Sequence, residues 1–214
     1  MVLHYTRDPD RIFRDSIARI RAEVDLSQLP AGIDEVALRL IHASGETALL
    51  PDLAWSDDLV PVMRRALGEG AAILTDADMV AHGLIRSRLK PASEVYCFLN
   101  DPEAAAIGRA GNIARPAAAV DLWLPHLGNA IVVIGAAPVA LFRLLELLDD
   151  GAPRPAAILA FPVGFVDAVE AKQELARDSR NIPYLLLHGR RGGGAMAVAA
   201  LNALSGLPPL ADEG

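Results

Sequence analysis

The sequence predicts an α/β protein: a doubly wound, mostly parallel sheet flanked by helices, in a single domain. Three observations carry this. Five short apolar runs rich in β-formers, at 71–75, 95–99, 131–134, 158–161 and 184–187, have the length and composition of buried strands. Longer segments with helical spacing lie between them, so that strand joins strand through a crossover, the connection parallel strands require. Finally, 214 residues with 52% hydrophobic side chains suffice for one substantial core, and no internal repeat, low-complexity tract or linker divides them.

In chain order, the first helix is expected to start near Pro9. Ile12, Ser16, Ile20 and Val24 share one i, i+4 row on it. A second helix over 33–42 turns Val36, Leu40 and Ile41 inward. The clearest strand-to-helix passage is Ile131-Val132-Val133-Ile134-Gly135-Ala136-Ala137-Pro138. Gly135 allows the tight turn, and Pro138 suits a first helical turn, where its missing N–H is not needed. That helix runs through Leu141, Phe142, Leu144 and Leu145 to end near Gly151. A similar passage, His188-Gly189-Arg190-Arg191-Gly192-Gly193-Gly194, leads into a helix whose Ala195, Ala197, Ala199 and Ala200 permit close packing on the sheet. The domain is expected to span 1–207, followed by a flexible tail at 208–214.

Bulk properties remove several function classes. Mean hydropathy is +0.29, yet every apolar stretch is interrupted well short of the roughly 20 residues that span a bilayer. The start, Met1 to Asp8, has neither a long apolar segment nor a small-residue cleavage site, which argues against a secretory signal. Cys97 is the only cysteine and sits in an apolar run, as expected of a buried thiol in a reducing compartment; a cytoplasmic protein follows. The net charge of −7 opposes nucleic acid as a partner. Basic residues still cluster at Arg7, Arg11 and Arg14, at Arg86, Arg88 and Lys90, and at Arg190 and Arg191; each cluster alone reads more simply as a solvated face.

The glycine-rich segment after the last strand is the strongest chemical signal. Glycines let the backbone approach a ligand, and free N–H groups at a helix start favour a carboxylate or phosphate. A plain glycine turn is the competing reading. No Lys-Ser or Lys-Thr follows, so this is not a Walker loop, and the Gly135 turn lacks GxGxxG spacing, leaving a nicotinamide dehydrogenase as a weak alternative. The histidines at 4, 42, 82, 126 and 188 form no HxxxH or HxH pair, so a metal site finds no support, and no GxSxG elbow marks a hydrolase. His82, His126 and His188 read as surface or capping residues. His42 ends an apolar helical run and meets the flexible Ala43-Ser44-Gly45, where its ring can face a pocket; on position alone a structural role is the simpler reading.

A set of phrases across nearly the whole chain then adds a resemblance. They include Ile20-Arg21-Ala22-Glu23-Val24-Asp25-Leu26-Ser27, Arg39-Leu40-Ile41-His42-Ala43, Thr75-Asp76-Ala77-Asp78-Met79-Val80-Ala81-His82-Gly83 and Arg86-Ser87-Arg88-Leu89. Later come Leu144-Leu145-Glu146-Leu147-Leu148, Phe161-Pro162-Val163-Gly164-Phe165-Val166 and Gly189-Arg190-Arg191-Gly192-Gly193. In order and spacing they resemble the precorrin-8X methylmutase family, including its cobalt-precorrin-8 members. The resemblance implies an α/β homodimer with its site at the sheet edge near the subunit interface. It implies an isomerase of cobalamin biosynthesis that moves a methyl group from ring carbon 11 to ring carbon 12 of a corrin-precursor tetrapyrrole. It further implies that the product is hydrogenobyrinate or its cobalt counterpart, that no organic cofactor or metal is needed, and that product is handed over to neighbouring pathway enzymes. His42 falls on the family's catalytic histidine. An imidazole, which exchanges a proton near neutral pH, is a suitable acid for biasing the macrocycle's conjugation. Ser16, Arg86, Arg115, Lys172, Arg190, Gly192 and Gly193 fall on substrate-binding positions, Arg115 only if one residue is inserted before it.

The chain departs from the family pattern at Ile85, Ala136, Val139, Ala171 and Gly194, where hydroxyl or amide side chains are usual. Each lost hydrogen bond to a charged group costs about 1.5–3 kcal/mol. A non-catalytic or divergent tetrapyrrole-binding paralogue is therefore the alternative to the enzyme.

Overall fold

The computed structural model describes residues 3–206; the tail expected at 208–214 lies outside them. The chain opens with α1 (Pro9–Glu23), whose first turn is capped by Asp8 Oδ1 accepting from the Asp10 and Arg11 N–H groups at 3.0 and 3.3 Å. α2 (Ile33–Ser44) ends at Gly45, which takes the left-handed φ of 73° and donates to the Ile41 carbonyl. A short 3-10 turn, Thr47–Asp52, then leads into β1 (Leu53–Trp55), α3 (Leu59–Glu69), β2 (Ile73–Thr75) and α4 (Asp78–Gly83). After a 3-10 turn at Arg86–Arg88 come β3 (Val95–Cys97), α5 (Pro102–Gly111) and α6 (Arg115–Asp121). The chain continues through β4 (Ile131–Ile134), α7 (Pro138–Asp149), β5 (Ala157–Ala160), α8 (Ala168–Arg177), β6 (Tyr184–Leu187) and α9 (Gly194–Ser205).

The strands form one six-stranded sheet in the order β1-β6-β5-β4-β2-β3. All neighbours are parallel except β1, which runs antiparallel to β6 with Leu53 opposite Leu187. Alternate residues face two layers. Ile131, Val133, Leu159, Leu185 and Leu187 meet the α2, α3 and α9 side, while Val132, Ile134, Ile158 and Leu186 meet the α7 and α8 side. Burial on both faces explains the unbroken apolar strand sequences. The small residues of α9 allow it to lie close along α2, and Gly135 is required there: a Cβ on it would come within 2.8 Å of Gly194 Cα.

The expected strands are present, 131–134 and 184–187 with the expected bounds and the other three with shifted ends. β2 begins at Ile73, not at 71, because the Ala71 N–H turns back to the Ala66 carbonyl at 2.9 Å and closes the end of α3. β1 was not expected; three residues after a proline carry no periodic signal. Ile12 is 46% exposed, and the α1 residues packed on the core are Ile17 and Ile20. Cys97 is half-buried, not fully buried, because β3 is the sheet edge. His126 is neither a cap nor a bare surface residue; it stacks on Tyr96 with ring centroids 4.2 Å apart.

Candidate functional site

In an open parallel sheet, ligands gather at the carboxyl ends of the strands, beside the point where the strand order reverses. Here the reversal lies between β2 and β4. That crevice is closed by the protein itself. Asp76, only 3% exposed, accepts the N–H groups of Gly135, Ala136 and Ala137 at 2.8, 2.8 and 2.7 Å. Burial pushes its carboxyl group up, opposed by those three donors, which favour the charged form. The turn ahead of α7 has thus spent its anion-binding N–H groups on an internal carboxylate, which removes the basis for a dinucleotide pyrophosphate there.

The open cleft lies one step along, among the loops after β5 and β6 and the C-terminal end of α2. It has a volume of about 530 Å³ and is walled by Ala43, Ser44 and Glu46, by Val163 to Phe165, and by Arg190 to Gly192. That is within the usual range for ligand clefts. Its rim is apolar and exposed, with Phe165 87% and Val166 74% accessible.

His42 occupies the last turn of α2, directly before Ala43 and Ser44 of the cleft wall, with its side chain exposed. Its ring meets Phe13 of α1 edge-on, with centroids 5.7 Å apart and planes at 80°. The Arg39 guanidinium stands over the same Phe13 ring at 5.0 Å and is paired to Glu35 at 2.7 Å. Phe13 is therefore a shared contact that limits how His42 and Arg39 orient. Ser16 is half-buried one turn further along α1, its hydroxyl donating to the Ile12 carbonyl at 2.8 Å.

On the other side of the cleft, the Arg190 guanidinium lies over the Phe165 ring at 4.9 Å, and the Arg190 carbonyl accepts the Gly164 N–H at 3.2 Å. Gly192 has φ 154°, and a Cβ there would lie 2.3 Å from the Phe161 carbonyl oxygen; close backbone packing, not ligand approach, requires this glycine. The Gly193 N–H donates to that same carbonyl at 2.8 Å. One step further on, among the described residues, the Gly194 and Ala195 N–H groups at the start of α9 have no hydrogen-bond partner; Gly194 is buried, whereas Ala195 lines the cleft.

Three expected site residues are placed otherwise. Lys172 of α8 is fully buried beneath the glycine-rich loop, and its ammonium donates to the Arg191 carbonyl at 2.7 Å. Burial, reinforced by the Arg191 charge and opposed by Asp52, pushes its pKa down to about 8. Arg86 adjoins Ile85, whose N–H donates to Asn202 Oδ1 at 2.9 Å. Asn202 is eight residues beyond Gly194 (202 − 194), a distance of about 12 Å along α9. Arg115 begins α6, in a separate recess with Ala105 and Arg109. Within one chain, Arg190 and Gly192 line the cleft, His42 directly precedes its wall residue Ala43, and Gly193 follows Gly192; Ser16 of α1, Arg86 and Arg115 are not among its lining residues.

Sequence reasoning missed Asp76 as the plug of the crevice, and missed the pairing of Arg191 with Glu46 and Asp52. The Arg191 guanidinium bonds Glu46 at 3.3 Å, the Ala48 carbonyl at 3.2 Å and the Asp52 carboxylate. These partners are about 140 residues apart in sequence, beyond any local spacing rule; only a polar residue directly after β2 hinted at Asp76.

A family model described as precorrin-8X methylmutase matches residues 11–207. The precorrin-8X methylmutase of Pseudomonas aeruginosa is 50% identical over 95% of this chain and 98% of its own length. That of a Sinorhizobium species is 48% identical over 94% and 96%. The cobalt-precorrin-8 methylmutase of Methanothermobacter thermautotrophicus is 33% identical over 89% and 88%. A solved structure of precorrin-8x methyl mutase from Thermus thermophilus superposes with a TM-score of 0.82 at 36% identity, covering 92% of this chain and 94% of that one.

Proposed function

This chain belongs to the precorrin-8X methylmutase family, and on that premise we propose how its own residues serve the isomerisation. The reaction is an isomerase step of cobalamin biosynthesis: the methyl group leaves ring carbon 11 and bonds to ring carbon 12, with no atom gained or lost. His42 is the acid that protonates the macrocycle and biases its conjugation toward the rearranged product, and a proton returns to its imidazole once the methyl group has moved, so none is gained overall. Arg190 and the free N–H groups opening α9 hold an acidic side arm, a charge-assisted contact that fixes the ring's orientation. The observation supporting this most directly is that one 530 Å³ cleft lies between the end of the His42 helix and the Arg190 loop.

The metal-free substrate, precorrin-8X, is the reading we favour, because relatives named for it are 50% and 48% identical whereas a cobalt-precorrin-8 relative is 33% identical. Turnover is favoured over the non-catalytic paralogue by that same identity. In addition, Ala136, one of the departures, lies in a turn already satisfied by Asp76. The test is to add precorrin-8X to the purified protein and follow the visible spectrum. Conversion to the hydrogenobyrinate spectrum supports the enzyme; a bound but unchanged substrate spectrum supports the paralogue.

A homodimer completes the proposal. Tyr5, Ile12 and Phe13 near the cleft's helix, and Phe165 and Val166 on its rim, are exposed apolar side chains that a second copy would cover. Arg86, out of reach of its own cleft, would then serve the partner's. No helix among the described residues is long and apolar enough to cross a membrane; a cytoplasmic location, and hand-over of product through the open cleft mouth to a neighbouring pathway enzyme, belong to the same reading.

A further inference from the structure

We propose that Arg191 is a positioning residue: clasped by Asp52 and Glu46, it fixes the glycine-rich loop against the segment following α2 and so sets the placement of Arg190 and the start of α9 relative to His42.

Adjacent arginines in this loop do opposite things. Arg190 extends outward over Phe165 at the cleft mouth. Arg191 turns inward and ties three points of the 46–52 segment, the Glu46 and Asp52 carboxylates and the Ala48 carbonyl. That segment begins two residues after α2 ends at Ser44, so the clasp joins the two walls of the cleft. Two further bonds hold the same junction: Lys172 Nζ to the Arg191 carbonyl at 2.7 Å from below, and the His188 N–H to the Asp52 carbonyl at 2.8 Å.

The loop needs such an anchor. Gly189, Gly192 and Gly193 have φ of 79°, 154° and 112°, and a backbone this rich in glycine has many alternative conformations available to it. The charges also require each other. Two cations, Arg191 and Lys172, meet in a region where Lys172 has no solvent exposure, and two carboxylates, Asp52 and Glu46, balance them. Asp52 offsets the Arg191 charge at Lys172, so removing it leaves the two cations opposed across the loop.

The inference rests on the cleft being the catalytic site, and its test separates the two. Arg191→Gln, Asp52→Asn and the pair together are compared with wild type for precorrin-8X turnover, for hydrogenobyrinate binding by absorbance, and for amide hydrogen exchange at residues 189–195. The clasp predicts that either single change lowers kcat by roughly 10- to 100-fold, the scale of a misplacement of about 1 Å. Product affinity should change less than kcat, loop exchange should quicken, and the double variant should be no worse than the poorer single one. Arg191→Lys, keeping the charge, should recover part of the rate. If instead Arg191 touched the substrate itself, Asp52→Asn would free it and tighten product binding while Arg191→Gln loosened it; that divergence overturns the clasp. So does unchanged kcat with unchanged loop exchange, even where melting temperature falls. A wild type that binds no tetrapyrrole defeats the functional reading, and loop exchange in the variants then decides the clasp alone.

Discussion

Lys172, with no solvent exposure, donates from its ammonium to the backbone carbonyl of Arg191 at 2.7 Å, so a buried cation supports the loop that walls the cleft. Its position has a measurable consequence. The folded pKa is pushed down to about 8 from the ordinary 10.5, so between these values the unfolded chain binds more protons than the native one. Stability from this group therefore rises with pH across that window and is constant below it. Measured by urea unfolding, wild type should gain on Lys172→Met between about pH 8 and 10.5, by at most about 3.5 kcal/mol. A difference that stays flat across that range would show that the ammonium remains charged in its buried place.

Arg190 is exposed, its guanidinium lying over the exposed Phe165 ring. Arg190→Ala should weaken hydrogenobyrinate binding by roughly 10-fold or more, the loss of a charge-assisted hydrogen bond, while melting temperature stays nearly unchanged. Equal binding would remove Arg190 from the site, and a large fall in melting temperature would make it structural.

Asp76 is the reverse case, a residue whose loss should be felt in stability first. An asparagine offers one acceptor oxygen where Asp76 accepts three N–H groups, and its NH2 would face donors. Asp76→Asn should cost about 2–4 kcal/mol in urea unfolding. The proposed single domain should unfold in one step, with fluorescence and circular dichroism curves coinciding. A cost below about 0.5 kcal/mol, the range of ordinary surface substitutions, would refute the plug.

If Arg86 serves the partner's cleft, mixing Arg86→Ala chains with His42→Asn chains should restore activity. Half the dimers are then mixed and one site in each is intact, giving about a quarter of wild-type turnover in a twofold assembly. No recovery would place both residues in one chain's site or remove Arg86 from it.

The strand-helix alternation and the glycine-rich turn were legible because they are local: burial on both faces writes apolar strands, and Gly135 and Gly192 are demanded by backbone contacts. β1 was not, since an antiparallel edge of three residues has no period. The site was legible only in part. Arg190 lines the cleft and His42 borders its wall, both at positions that local pattern and resemblance marked, whereas Ser16 is not among the lining residues. Lys172 was expected to face substrate, yet helix α8 turns it under the loop, and nothing local in the sequence distinguishes a lysine above a loop from one beneath it. The Arg191–Asp52 pair was invisible because its partners meet only after the β1–β6 ladder has formed.

The central claim is that His42 at the end of α2 supplies the proton for methyl migration. The direct measurement is turnover of precorrin-8X by His42→Asn, with product binding and melting temperature taken on the same preparation. The variant should fold and retain most of its affinity while turnover falls by at least about 100-fold. Wild-type-like turnover by His42→Asn would contradict the claim.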